Sequence, residues 1–212
     1  MYTPRHFRMS DTAECHDLIR QHPFGVLVSG SADEAPSASH LPFHLEPDEG
    51  PMGTLYMHLA RANPQAATLD GRPVRCVFSG AHAYVSPTWY ETAPAVPTWN
   101  YLAVHCIGRA ERVDDKSAME SQMAALGHDY EAESGWRFDA LPQKYRDGMI
   151  KGIVGFRVPI DELFGKAKLS QNKSEADIAR SIEGLVRSDR PGDHDLATHM
   201  KNPPRSSDAE GS

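Results

Sequence analysis

"GTLYMHLARANPQ", Gly53–Gln65, holds two structural periods and the point where one gives way to the other. Leu55, Met57 and Leu59 alternate with Thr54, Tyr56 and His58, the period of two that sends successive side chains to opposite faces of a strand. Asn63 followed by Pro64 then reads as an N-cap with proline at the first helical position, and Gly71 closes the short helix. A strand that presents Arg61 and turns into a helix brings together free backbone N–H groups, a positive dipole end and a guanidinium, a place suited to a phosphate. The same residues serve equally as a plain cap beside a solvated arginine, so on this segment alone both readings stand.

Upstream, "FGVLVSGSADEAPSASHLPFHLEP" reads as a β-hairpin around a turn containing Asp33, Glu34 and Pro36. Its second strand places Leu41, Phe43 and Leu45 on one face and His40, Pro42 and His44 on the other. A helix precedes it, capped at Asp11 with Glu14 three residues on, carrying Leu18 and Ile19 and ending before Pro23. Downstream, "RPVRCVFSG", "HAYVSP" and "VPTWNYLAVHCIGRAERV" are extended segments, the last long enough to be a bent strand. Helices follow over 116–126, stopped by Gly127, and over 141–148. "KGIVGFRVPI" is a strand, "DELFG" a helical turn, and Ser174 with Asp177 caps a last helix striped by Ile178, Ile182, Leu185 and Val186. Short strands with helices inserted irregularly predict a mainly β fold, an antiparallel barrel with peripheral helices, rather than a doubly wound parallel sheet. One domain over 1–188 is expected, followed by a flexible tail over 189–212, where Pro, Ser, Asp and Gly replace large apolar residues.

The 212 residues, 40% hydrophobic and 24% charged, suit a soluble globular chain with one sizeable core. Without an apolar leader or a bilayer-length apolar run, no membrane role and a cytoplasmic location are expected. A formal charge of -7 and the lack of a basic helix-turn-helix argue against direct DNA binding. There is no GxGxxG or P-loop, and Cys15, Cys76 and Cys106 make neither a disulfide framework nor a CxxC pair.

His40 and His44 lie on one face, with His58 on a candidate neighbouring strand, enough for a three-histidine metal site. Hydrogen-bonding or solvated histidines are the favoured reading, and no metal is expected. Trp89, Tyr90, Trp99 and Tyr101 cluster in sequence, as core aromatics or as a wall for a planar ligand, on a segment stiffened by Pro87, Pro94 and Pro97. "KAKLSQNKS", Lys166–Ser174, offers Lys168, Ser170, Gln171 and Asn172 ahead of a helix start, either as an anion-binding segment or as a solvated loop. No residue is marked as an obligatory acid or base, so no catalytic residue is assigned.

Taken in order, "MYTPRHF", "SHLPF", "GTLYMHLARANPQ", "FSGAHAYVSPTWY", "VPTWNY" and "KLSQNKS" resemble the PaiB family of FMN-binding negative transcriptional regulators, related to the pyridoxamine-phosphate-oxidase-like split barrels. The resemblance spans about residues 1–185 and implies a split β-barrel, a homodimer, and FMN at the subunit interface. It implies that His58, Arg61, Asn63 and Gln65 grip the FMN phosphate and that His40, with Ser39 and Leu41, edges the isoalloxazine ring. Trp99 falls to the same site as a wall for the ring. Lys168, Ser170, Gln171 and Asn172 are assigned there too, reaching from the partner chain, so that the polar segment meets the flavin or seals the dimer around it. Two other functions fit such a barrel: a flavin-dependent oxidoreductase on a small substrate, and a haem-binding protein with a histidine axial ligand.

Overall fold

The computed structural model describes residues 1–30 and 35–204. Along the chain run β1 (Arg8–Met9), α1 (Thr12–Gln21), β2 (Phe24–Ser29), β3 (Ser37–Pro42), β4 (His44–Glu46), β5 (Thr54–Ala60), α2 (Pro64–Thr68), β6 (Pro73–Val85), β7 (Thr98–Arg109), β8 (Glu111–Val113), α3 (Lys116–Glu131), α4 (Gln143–Lys151), β9 (Ile153–Lys168), α5 (Glu175–Val186) and α6 (Asp193–Lys201). The strands form one sheet in the order β3, β2, β6, β7, β9, β5, β4, with β1 and β8 also paired to β9. Every pairing whose register is described is antiparallel, so the sheet is antiparallel with peripheral helices, as expected. The chain forms two compact units: Met1–Gln21, Ser79–His105 and Phe164–Ser212 make the first, and His22–Phe78 with Cys106–Leu163 the second.

In the second unit β5 carries out the alternation read in its sequence. Leu55, Met57 and Leu59 are buried, and β5 pairs with β9 from Thr54↔Pro159 to Ala60↔Ile153. Phe156 and Val158 of β9 join them, and each such side chain contributes about 1.5–3 kcal/mol on burial. The hairpin strands pair from Phe24↔Pro42 to Ser29↔Ser37, while Asp33 and Glu34 of its expected turn lie outside the described residues. The expected single strand over 40–45 is broken at Phe43, whose N–H bonds Pro23 O at 2.9 Å and so leaves the ladder. Phe43 and Leu45 are buried, Leu41 is half-buried and His40 is exposed.

Several boundaries move. The helix expected to stop at Gly127 runs on to Glu131, because Gly127 leaves room for the Trp136 indole, which an added Cβ would approach to 2.6 Å. The segment 141–148 is helical over Gln143–Lys151 instead, with Pro142 as its cap and Gly152 as its end. "DELFG" is not a helical turn: β9 continues through it, held by β1 at Arg8↔Lys166 and Met9↔Gly165. The two extended segments after Arg72 are one strand, β6, and the long strand after Val96 breaks at Ala110, whose N–H bonds Arg72 O at 2.9 Å.

In the first unit, α5 buries Asp177, Ser181, Gly184 and Leu185, and Val186 of the expected stripe is exposed. Trp89 lies so close to Gly184 that a Cβ there would sit 2.3 Å from the indole, which is why the small residues face inward. The segment after Asp189, expected to be flexible, contains α6 with Leu196, Ala197 and Met200 buried. Leu196 and Met200, an i, i+4 pair, supply enough apolar surface to dock this turn-rich stretch, and the remainder of that expected tail over 205–212 lies outside the described residues.

Candidate functional site

The corner after β5 belongs to the second unit. Asn63 caps α2 by accepting from Gln65 N–H at 3.0 Å, and its amide donates to Ser39 Oγ at 3.1 Å. Ser39 donates to Gln65 Oε1 at 2.6 Å, and Gln65 Nε2 donates to Ser29 Oγ at 2.9 Å and to Ser37 O at 3.4 Å. Gln65 is only 4% exposed, so this amide clamps β2, β3 and α2 together instead of facing solvent. Ser29 and Ser37 were not singled out in sequence, where their only signal is the serine-rich flank of the hairpin.

Arg61 is exposed, and two of its N–H groups are engaged: Nε donates to Lys151 O and Nη2 to Ile153 O, both at 2.7 Å. A guanidinium has five N–H donors, so three remain on a head group that the backbone already orients. The partners come from the far end of the sequence, so no local pattern revealed them. His58, opposite Gly155 in the ladder, has a buried Nδ1 with no hydrogen-bond partner among the described residues. Burial holds its imidazole below the usual histidine range, which favours the neutral ring. His40 is exposed on β3 beside Leu41, its ring stacked on that of Phe24 with centroids 6.1 Å apart. Phe24 is itself 67% exposed, an apolar surface that sequence inspection passed over.

His44 does not join the other histidines at a metal centre. Its Nδ1 bonds Asp129 Oδ2 at 2.6 Å and its Nε2 bonds Glu46 Oε1 at 2.9 Å, so both ring nitrogens are committed. Glu46 is a near neighbour in the sequence, whereas Asp129 comes from 85 residues away. Among the described residues no group of three or more His, Cys, Asp or Glu is placed to hold a metal.

The polar segment belongs to the first unit and is described on its own. Lys168 ends β9, and its ammonium donates to Thr98 Oγ1 and to Trp99 O, the latter at 2.7 Å, leaving a third N–H. Burial, and after it the charge of Lys166, pulls the Lys168 ammonium below the usual lysine range. Ser170 adopts the left-handed region at φ 67°, is buried, and accepts from Asn100 Nδ2 at 2.8 Å. Gln171 closes the turn on itself, donating to Ala167 O at 2.6 Å and accepting from Leu169 N–H at 2.7 Å. Asn172 is exposed. Much of the polarity of "KAKLSQNKS" therefore serves its own turn.

The aromatic cluster read from the sequence separates. Trp89 packs on Gly184, Tyr90 is buried with the Lys173 ammonium 4.9 Å from its ring, and Tyr101 faces the Lys166 ammonium at 5.1 Å. Trp99 instead meets His82 and Tyr84, with centroids 6.3 and 6.2 Å away, and stays 55% exposed. The proline-stiffened connection is pinned at Asp177, whose Oδ1 accepts from the N–H groups of Glu91 at 2.8 Å and Thr92 at 3.2 Å. Hydrogen bonds from Thr92 hold the Asp177 carboxyl below its usual range.

Comparison with known proteins places this geometry. Residues 1–162 match the family model described as "Putative FMN-binding domain". The chain is 32% identical over 208 residues to Protease synthase and sporulation protein PAI 2 of Bacillus subtilis, covering 95% of this chain and 97% of that one. Among solved structures, the FAD and haem binding protein from Mycobacterium smegmatis aligns with a TM-score of 0.58 at 16% identity, over 81% of this chain and 78% of that one. The conserved hypothetical protein Rv2991 from Mycobacterium tuberculosis aligns with the same TM-score at 16% identity, over 82% and 95%. These likenesses give the fold, which is the split barrel expected. The residues fit the cofactor of that family: the spare donors of Arg61 suit a phosphate, and the unpartnered His58 nitrogen and the exposed His40–Phe24 pair suit a flat heterocycle. FMN is thus the cofactor of this family, and the chain belongs to the PaiB family of FMN-binding split-barrel proteins.

Proposed function

We propose that this chain works as a flavin-binding homodimer that exerts negative transcriptional regulation through a protein partner, with FMN held at the subunit interface. The observation that carries the reading is the donor set of the corner after β5, where an exposed guanidinium oriented by two carbonyls keeps three free N–H groups. Arg61 and Asn63 hold the phosphate, and Gln65 keeps Asn63 and Ser39 in place. His40, flanked by Ser39 and Leu41, lines the ring, with His58 within the same site. Trp99, the spare N–H of Lys168 and the exposed Asn172 serve the flavin of the partner subunit, and Ser170 and Gln171 hold that turn in shape. When bound, FMN supplies one- and two-electron redox chemistry, and the role of these residues is to bind and orient it.

Regulation is supported by the relative named for protease synthesis and sporulation, and contact with DNA is disfavoured by the net charge of -7. The exposed Val96 and Trp99 of the first unit and the exposed Phe24 of the second support self-association, since large exposed apolar side chains are available to an interface. Among the described residues no helix is long and apolar enough to cross a membrane. An oxidoreductase is the second reading, favoured by His58, a neutral imidazole able to hold a proton beside a flavin. Incubating the FMN-loaded protein with NADH or NADPH separates the two: the regulatory reading expects retained flavin without steady nucleotide oxidation. Sustained oxidation over many turnovers would replace it with the enzyme.

A further inference from the structure

The polar face of β5 is roofed by α3. His44 lies opposite Tyr56 in the ladder and His58 follows two residues on, so the three side chains share a face. α3 covers it: Asp129 bonds His44, while Met119 and Gln122 meet Gly155, the residue opposite His58. A Cβ at Gly155 would lie 2.1 Å from Met119 Sδ and 2.9 Å from Gln122 Oε1, so only glycine lets the helix come this close. All of these residues belong to the second unit.

Gln122 is only 4% exposed, and the two ends of its amide are treated differently. Nε2 donates to Met57 O at 2.7 Å, which fixes the orientation of the amide, since a flipped one would set two carbonyl oxygens against each other. Oε1 is then left buried beside Gly155 with no donor among the described residues. His58 faces the same glycine; it is half-buried, and its Nδ1 is likewise enclosed and unpartnered among the described residues. Opposed residues on one face stand about 4.5–5.5 Å apart at Cβ, and the last torsion of histidine is soft, so the imidazole can turn Nδ1 to the Gln122 amide.

One tautomer reconciles the pair. With the proton on Nε2, Nδ1 and Oε1 are two buried acceptors without a donor, and each is costly. With the proton on Nδ1, a single N–H···O bond satisfies both atoms and leaves the lone pair on Nε2.

We propose that Gln122 is a positioning residue for His58: anchored on the Met57 carbonyl, its Oε1 accepts the Nδ1 proton and so presents Nε2 as a hydrogen-bond acceptor. The inference rests on the reading that places His58 at the flavin. There a bare Nε2 suits a ribityl hydroxyl or the ring N–H of FMN and not a phosphate oxygen, which falls to Arg61.

The test is nitrogen NMR of the full chain with labelled histidine, His58 being assigned by the resonances lost in His58→Ala. Without FMN, the parent protein is expected to show Nδ1 protonated and Nε2 bare. Gln122→Met, similar in length, should move His58 to the Nε2–H form, whereas Gln122→Glu, which keeps an acceptor, should retain the parent pattern. Circular dichroism checks the fold of each variant, and the parent spectrum tests the tautomer without one. Nε2 protonated in the parent protein, or a Gln122→Met spectrum like the parent's, would overturn the proposal. FMN titrations then read the coupling. Gln122→Met should weaken FMN by about threefold or more when His58 is present and leave affinity unchanged in the His58→Ala background, as for a residue that acts through another. Additive losses would overturn the proposal by giving Gln122 a merely structural role. His58→Ala with unchanged FMN affinity would instead strike His58 from the flavin site, while the spectra recorded without FMN still decide on Gln122, so the two readings fail separately.

Discussion

The corner after β5 and the turn after β9 offer similar side chains in the sequence, yet spend them differently. At the corner the amide of Gln65 is consumed inside the unit, between Ser29, Ser37 and Ser39, while Arg61 keeps three N–H groups and His58 Nδ1 has no partner among the described residues. At the turn Gln171 bonds its own neighbours, Ser170 is buried against Asn100, and Lys168 is largely satisfied by Thr98 and Trp99. A polar segment is a binding segment only to the extent that its hydrogen-bonding capacity exceeds what its own backbone uses.

The sharpest way to break that comparison is to remove one glutamine at a time. Gln65→Leu strips three bonds from a buried cluster and leaves hydroxyl and carbonyl groups unmatched, so thermal or urea unfolding should report a loss of about 2–4 kcal/mol. Gln171→Leu, in a half-buried turn that water reaches, should cost about 1 kcal/mol. Equal losses would mean that the corner is no more tightly built than the turn.

Next in size is the cofactor. Arg61→Ala should weaken FMN binding by about 1.5–3 kcal/mol, the range of a charge-assisted hydrogen bond, with little change in unfolding. Lys168→Met, which keeps the stem and removes a single spare donor, should weaken it by about 1 kcal/mol. Fluorescence titration of FMN checks both, and an Arg61→Ala protein with unchanged affinity would take the phosphate away from this corner.

The smallest effect concerns His44, which links β4 to α3 within the second unit. Burial lowers the pKa of its ring, but the hydrogen bonds to Asp129 and Glu46 outweigh that and leave it raised. The stabilisation is therefore fully present below the unfolded value near 6.5 and is lost as pH rises through the higher folded value. Unfolding between pH 6 and 8 should show stability falling by up to about 1 kcal/mol, as befits a partly exposed pair. The slope should flatten in His44→Asn, and an unchanged slope would assign it to other groups.

What the sequence disclosed follows the range of the interactions involved. The strand-to-helix corner was legible because alternation, cap and proline act within a few residues, and Asn63, Pro64 and the buried Leu55, Met57 and Leu59 stand as read. Phe43 and "DELFG" were misread because their state is set by Pro23 and β1, which lie far off in the sequence, and Gly127 and the helix after Gly192 because packing on Trp136 and α5 leaves no trace in a local period. The residue types of the candidate site were visible in the same way. Which of their donors remain free was not, since Arg61 is bonded by carbonyls 90 and 92 residues away and Asp177 by a loop 85 and 86 residues away.

The most direct test of the central claim is gel filtration of the protein after mixing with FMN, read by absorbance across the eluted peak. The account predicts flavin travelling with the protein at about one per chain, as a cofactor seated in a formed pocket does, on a peak of dimer size. Colourless protein, with all the FMN eluting as free small molecule, would contradict it.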